Sequence, residues 1–213
     1  MMRIFTSTLF VLGAVLLLVA STRYMGDALY IGAIEKHVQT LSRFTIEEGN
    51  GIENWLYPPN SNALLTTAHS LDAYGSLLLW KNYLTKNSSS LLRANEIYLS
   101  SSHLRPTWPS THIELAKLAN KNGDTRAEEM HRAASIHFGP YSTSTLLFNI
   151  DYIYSNWTSM VGEKRVKASI QLLSIARKWK YRPLLNQMIT YSPGKQRICN
   201  MLAFNKVKVS ACQ

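Results

Sequence analysis

Apolar residues run without interruption only once in this chain, from Ile4 to Ala20 (IFTSTLFVLGAVLLLVA), and no charged or polar side chain occurs from Leu9 onward. About 17 to 25 such residues cross the hydrocarbon of a bilayer, so this run of 17 just reaches the lower limit. Past it, the pattern becomes periodic. Leu29, Ile31, Ala33, Ile34, Val38 and Leu41 predict an amphipathic helix over Asp27 to Phe44 that can continue the membrane segment. Glu47 to Ser61 breaks the pattern, because Asn50-Gly51 favours a turn and Pro58-Pro59 cannot continue a helix. Trp55, Leu56 and Tyr57 inside the break read as side chains that pin a loop to the domain.

The rest predicts helical hairpins. Ala63 to Tyr83 carries a broad apolar stripe through Leu71, Tyr74 and Leu78, and KNSSS at Lys86 to Ser90 turns the chain. Leu91, Ala94, Ile97, Tyr98 and Ser101 then share a helix face, which Arg105-Pro106 ends. Thr111 and Glu114 have the spacing of a capping box before Leu115, Leu118 and Ala119. Asn122-Gly123-Asp124 closes that helix and opens another, with Gly past the end and Asp as N-cap. In the new helix Ala127, Met130, Ala134 and His137 are expected inward, and Gly139-Pro140 is the stop. Leu146, Leu147, Ile150 and Ile153 mark the next helix. Over Lys164 to Lys178, Lys164, Lys167, Gln171, Ser174 and Lys178 form a polar stripe, with Val166, Ile170, Leu173 and Ala176 expected on the buried side. A further short helix covers Leu184 to Ile189, and the pattern leaves Lys195 to Gln213 unassigned.

Pro106 and Pro140 stand 34 residues apart, each behind a helix, with two short helices and an Asn-Gly-Asp turn between them. That is the length and layout of a tetratricopeptide unit. Small residues recur too, Ala94 and Ser101 before Pro106, Ala127 and Ala134 before Pro140, although the aromatic and Gly positions of the motif's first helix are missing. The expected fold is therefore all-α: an N-terminal transmembrane helix, then a tetratricopeptide-like array of helical hairpins. The expected organisation is an anchor over 1–23, a juxtamembrane helix and loop over 24–61, and a hairpin domain over 62–213 whose C-terminal part is basic.

Composition adds direction to this layout. Arg3 and the α-amino group precede the apolar run, and positive residues hold their end in the cytoplasm, which places the remainder on the far side. A cleaved signal peptide has the same opening. Cleavage after Ala20 or Ser21 would set Leu18 or Val19 where a small residue is needed, which favours an uncleaved anchor over a signal peptide, and over a buried helix of a soluble protein. The net charge of +10 is local: up to Glu163 there are 12 basic and 13 acidic residues, whereas from Lys164 onward 11 basic residues stand with no Asp or Glu. A surface of one sign attracts anions, here glycans or lipid head groups, since nucleic acid does not reach that compartment. Lys164, Lys167, Lys178, Trp179, Lys180, Tyr181 and Arg182 are the candidate binding residues, combining cations with flat aromatic faces. Cys199 and Cys212 either close a short loop or remain thiols.

Catalytic patterns are lacking. No His pair brackets a Glu as in zinc proteases, no Gly-rich loop follows a strand, and no Ser sits in a nucleophile elbow. No catalytic residue, cofactor site or metal site is assigned.

RPTWPSTHIELAKLANKNGD at Arg105 to Asp124, HFGPYS at His137 to Ser142, ICNML at Ile198 to Leu202 and Trp157 together resemble the VpsP-like family of bacterial polysaccharide biosynthesis proteins. The resemblance implies a small, single-pass protein of the bacterial inner membrane with its helical part in the periplasm. It also implies work beside envelope proteins of a polysaccharide assembly system. Two functions follow as expectations. One is a non-catalytic membrane-anchored adaptor in exopolysaccharide biosynthesis or export. The other is an enzyme acting on the polysaccharide or its lipid-linked precursor.

Overall fold

A computed structural model describes residues 2–41, 67–86 and 88–213, with side chains from residue 10 to 38 in the first range. The expected break over Glu47 to Ser61, with Trp55, Leu56 and Tyr57, and the expected boundary at 61 and 62 lie outside the described residues. Among the described residues the chain is all-helical, with nine α-helices and no strand. It divides into two compact units, Met1–Pro106 and Thr107–Gln213.

In the first unit, α1 (Met2–Leu41) is one unbroken helix of 40 residues. At 1.5 Å per residue it is about 60 Å long, twice the hydrocarbon thickness. The apolar run and the following amphipathic pattern therefore belong to one element. Its two halves meet different surroundings. From Phe10 to Leu29 the large apolar side chains stand exposed, Phe10 at 80% and Leu17 at 72%. Further on, Tyr30, Ile34 and Val38, spaced four apart, pack against α2 (Ala68–Thr85), and Ile34 is buried. Asp27 marks the changeover, accepting a hydrogen bond from the Thr67 hydroxyl at 2.8 Å.

Thr67 also starts α2 through a capping box: its hydroxyl accepts from the Ser70 amide at 3.1 Å, and its own amide donates to the Ser70 hydroxyl at 3.1 Å. Lys86, in the left-handed region at φ 55°, ends α2. The chain then returns as α3 (Ser88–Leu104). The two helices come unusually close at Gly75, where an added Cβ would lie 2.7 Å from the ring of Tyr98. The Tyr98 phenol shares a hydrogen bond with Ser76 at 3.0 Å, and Ser101 donates to the Ala68 carbonyl at 3.0 Å.

The second unit holds six helices in sequential pairs: α4 (Pro109–Lys121) with α5 (Thr125–Phe138), α6 (Thr143–Ser155) with α7 (Gly162–Ala176), and α8 (Arg182–Tyr191) with α9 (Lys195–Phe204). Between α4 and α5 the Asp124 amide bonds the Ala119 carbonyl and the Gly123 amide bonds that of Asn120, a Schellman closure with Gly123 at φ 75°. Asp124 is the N-cap of α5, accepting from the Ala127 amide at 2.9 Å. One apolar cluster runs from α6 to the C-terminus and includes Ile150, Tyr154, Leu172, Leu185, Ile189 and Ile198, and α4 buries Leu115, Ala116 and Leu118. Lys195 to Gln213, unassigned from its pattern, forms α9 and a final 3-10 turn at Ser210–Cys212, and Cys199 and Cys212 are joined in a disulfide.

Three local expectations are corrected. Thr111 and Glu114 form no capping box: Pro109 opens α4, Trp108 is its N-cap without a side-chain bond, and Thr111 is buried inside the helix. Proline at the first helical position presets φ and lacks the amide that would need a cap, so the helix starts three residues earlier. On α5, Met130 and His137 are exposed, and Glu128, Arg132 and Ser135 are buried instead. Those polar groups go inward because each has a partner. Glu128 accepts from Asn120 at 3.0 Å, the Ser135 hydroxyl donates to the Arg132 carbonyl, and Arg132 lies 4.4 Å from the centre of the Tyr152 ring and 3.1 Å from Glu129. On α7, Val166 and Ile170 point outward, and the buried arc is Ala168, Leu172, Ile175 and Ala176. Two alanines on that arc let neighbouring helices approach, which outweighs the larger apolar moment of the other face.

Candidate binding groove and basic link

Three helices of the second unit line one open groove of about 490 Å³. α4 supplies Ser110, Ile113, Glu114 and Lys117, α6 supplies Ser144, Leu147, Phe148 and Asp151, and α8 supplies Leu184, Gln187, Met188 and Tyr191. Each helix thus contributes positions i, i+3, i+4 and i+7, a single face. The lining positions of α4 and α6 are 34 residues apart, one for one, and those of α8 follow 40 later. The period that joins Pro106 to Pro140 therefore has a spatial counterpart: the first helix of each successive pair presents the same face to the same groove. This arrangement is compatible with a tetratricopeptide-like array.

The groove has an apolar floor and a polar rim. Ile113 and Leu147 are nearly covered, while Leu184 and Tyr191 remain exposed. Two carboxylates take part, and both are engaged. Glu114 pairs with Lys117 at 2.6 Å. Asp151 accepts a short hydrogen bond from the Ser192 hydroxyl and a longer one from Ser155 at 3.3 Å, and Ser192 in turn accepts from the Gly194 amide. Asp151 therefore ties α6 to the turn between α8 and α9.

The basic candidates are divided by the fold. Lys164 and Lys167 lie near the start of α7, and Lys178, Trp179, Lys180, Tyr181 and Arg182 follow its end. Fourteen residues of helical rise separate Lys164 from Lys178 by about 20 Å. Within the link, Lys178 and Lys180 flank the Tyr181 ring at 6.0 and 5.9 Å, and Trp179 is 82% exposed. Arg182 donates to the Ala176 carbonyl at 3.3 Å, where a cation complements the C-terminal end of α7. Lys178 to Tyr181 thus make a cation-and-aromatic cluster, and Lys164 and Lys167 stand apart from it.

Sequence reasoning missed one cluster. His112 on α4 and His131 on α5 face each other, Nδ1 to Nδ1, at 3.2 Å, with Phe138 stacked on His112 at 5.9 Å. Burial pushes His131 below its ordinary pKa, His112 adds to the shift, and Asp124 opposes it. The signal lay in the hairpin itself, because two helices folded back at Gly123 bring residues on either side of the turn into contact. Among the described residues no three His, Cys, Asp or Glu side chains gather to hold a metal ion. Comparison with known protein families, curated proteins and solved structures finds no match to this chain.

Proposed function

We propose that this chain is a membrane-anchored accessory protein of bacterial surface-polysaccharide biosynthesis or export, working by binding rather than by catalysis. The observation that carries the proposal is the division of α1: large apolar side chains exposed from Phe10 to Leu29, a packed stripe from Tyr30 to Val38. Exposed Leu, Val and Phe over that length suit lipid and not water. A disulfide in the C-terminal unit suits an oxidising compartment, which supports a reading with the helical pairs in the periplasm and the start of α1 in the inner membrane. The groove on α4, α6 and α8 then receives envelope proteins of the assembly system. The Lys178–Tyr181 cluster meets anionic glycan or lipid head groups. The pathway itself rests on the resemblance carried by Arg105 to Asp124, His137 to Ser142 and Ile198 to Leu202.

Glu114 and Asp151 in one groove are the observation that favours an enzyme acting on the polysaccharide or its lipid-linked precursor. General acid–base work needs a carboxyl group within reach of substrate and at liberty to exchange a proton. Here Lys117 occupies Glu114 and two serines occupy Asp151, which weighs toward binding.

The test combines topology with phenotype. A periplasm-dependent reporter fused at the C-terminus is expected to be active, and both cysteines are expected to resist alkylation until reduced. Deleting the gene in its host is expected to reduce surface polysaccharide, and a Glu114→Gln chain is expected to restore it. Cytosolic reporter activity removes the anchored reading, and a folded Glu114→Gln chain that still co-purifies with the partners of the parent chain but fails to restore polymer turns the reading to catalysis.

A further inference from the structure

A second concavity lies away from the α4/α6/α8 groove, where the end of α6 meets α9. It is an open trough of about 390 Å³ lined by Tyr154, Trp157, Arg197, Asn200, Met201 and Phe204. The α9 residues again occupy i, i+3, i+4 and i+7, so one helix face forms a whole wall. Phe204 is 86% exposed, an unusual position for a phenylalanine. Trp157 is held by two neighbours: Tyr154 lies against it at 4.9 Å, and the Arg165 guanidinium lies 5.4 Å from its ring centre.

The wall is fixed with respect to the floor. At Gly194 an added Cβ would meet the Tyr154 backbone at 2.7 Å, so only glycine permits this approach of α9 to α6. Arg197 donates one Nη to the Tyr154 carbonyl at 3.4 Å, its hydrogen bond among the described residues. The disulfide from Cys199 ties the same helix to the C-terminus. Such anchoring orders the lining before any ligand arrives, which lowers the entropy lost on binding.

From this lining we infer that the trough binds a sugar ring bearing a carboxylate, a unit of an acidic glycan. The C–H face of a pyranose is apolar and slightly positive, and it lies well against the negative face of an aromatic ring, which Trp157 and Phe204 supply. Asn200 offers both a donor and an acceptor, matching neighbouring hydroxyl groups. Arg197 is the one cation of the lining, and its planar fork is suited to a carboxylate held by two parallel bonds. A purely apolar partner would leave Asn200 and the remaining N–H groups of Arg197 unsatisfied on burial, which disfavours a peptide made of hydrophobic residues. The inference deepens the proposed function by giving an acidic glycan a defined place, and it rests on that reading only for the presence of such a polymer in the cell.

The experiment titrates the full chain in detergent micelles with a galacturonate trisaccharide, with a neutral glucose trisaccharide, and with phosphatidylglycerol vesicles. The uronate is expected to bind at least tenfold more tightly than the neutral sugar and to shift the Trp157 and Phe204 ring signals. Phe204→Ala, at an exposed position, is expected to weaken uronate binding tenfold or more with thermal unfolding unchanged. Arg197→Gln is expected to reduce uronate affinity to that of the neutral sugar, and Arg197→Lys to recover only part of it. Equal uronate binding by the parent chain, Phe204→Ala and Arg197→Gln overturns the assignment. So does uronate binding lost on Lys178→Gln and Lys180→Gln but kept in Phe204→Ala, or vesicle binding that Phe204→Ala removes, which would assign the trough to a head group. These outcomes are independent of the reporter and deletion tests, because none depends on topology or on the host's polymer.

Discussion

The two units of this chain are built alike inside and finished differently outside. Each buries aliphatic and aromatic side chains between helix pairs: Ile34, Tyr74 and Leu78 in the first, Ile150, Leu172 and Ile189 in the second. On the surface the first unit leaves a bare aliphatic stretch along α1, while the second carries all 11 cations that follow Glu163 and scattered single aromatics. The interior pattern therefore identifies helices, and the exposed pattern separates a helix long and apolar enough to cross a membrane from a basic surface. They also differ in how they are held. The first unit depends on a close helix approach at Gly75, whereas the second adds a covalent tie near its end.

Removing that tie is the strongest way to break the comparison. Cys199 and Cys212 are 13 residues apart, and closing a loop of about 15 residues stabilises a fold by about 3 kcal/mol in the chain-entropy account. Replacing both by Ala is expected to lower hydrogen-exchange protection of α8 and α9 amides by about a hundredfold, with α2 and α3 unchanged. Equal loss in α2 and α3 would show that the units do not open separately.

Gly75→Ala makes the complementary test in the first unit. Alanine gains about 1 kcal/mol of helix propensity. Against this, its Cβ would sit 2.7 Å from a Tyr98 ring that is almost fully buried and bonded to Ser76, so the ring has no easy way to move. Overpacking of this kind costs about 1–3 kcal/mol, so net destabilisation of about 1 kcal/mol is expected, confined to α2 and α3. A more stable variant would mean that the ring adjusts and that the glycine is not required.

Much of this was legible because helix pairs punctuate a sequence strongly. Asp124 capping α5, Gly123 in the left-handed region and the 34-residue spacing all follow from local residue chemistry. The apolar start of α1 was equally clear, and a helix with no break to Leu41 extends it. What failed was the choice of face. On α5 the buried side is Glu128, Arg132 and Ser135, and no periodicity of apolar residues points there, because Asn120 and Tyr152 provide the partners from other helices. On α7 the arc of Ala168 and Ala176 prevails over Val166 and Ile170 through closeness of packing, a property of the neighbours. The groove was implicit in the period, but its lining needed the third pair, where six extra residues hide the repeat. The disulfide was an open choice, since spacing alone permits either a bridge or two thiols.

The smallest effect expected is the response to acid, and it sharpens the contrast because it belongs to the second unit. His131 is held below its ordinary pKa of 6.5 by burial and by His112, with Asp124 pulling the other way. The unfolded chain therefore takes up a proton at this position before the folded one does, and stability falls wherever the unfolded state binds more protons. The contribution is complete above pH 6.5 and is lost as pH falls through the lowered folded value. The geometry supplies the reason. One proton can lie between the two Nδ1 atoms 3.2 Å apart, whereas protonating both rings sets two N–H groups against each other across α4 and α5. Denaturant midpoints read from α4 and α5 amides between pH 7.5 and 5 are expected to decline, and His131→Gln is expected to flatten that decline while leaving α2 and α3 as they were. A slope unchanged by His131→Gln would assign the acid response to another group and leave the histidine pair as packing alone.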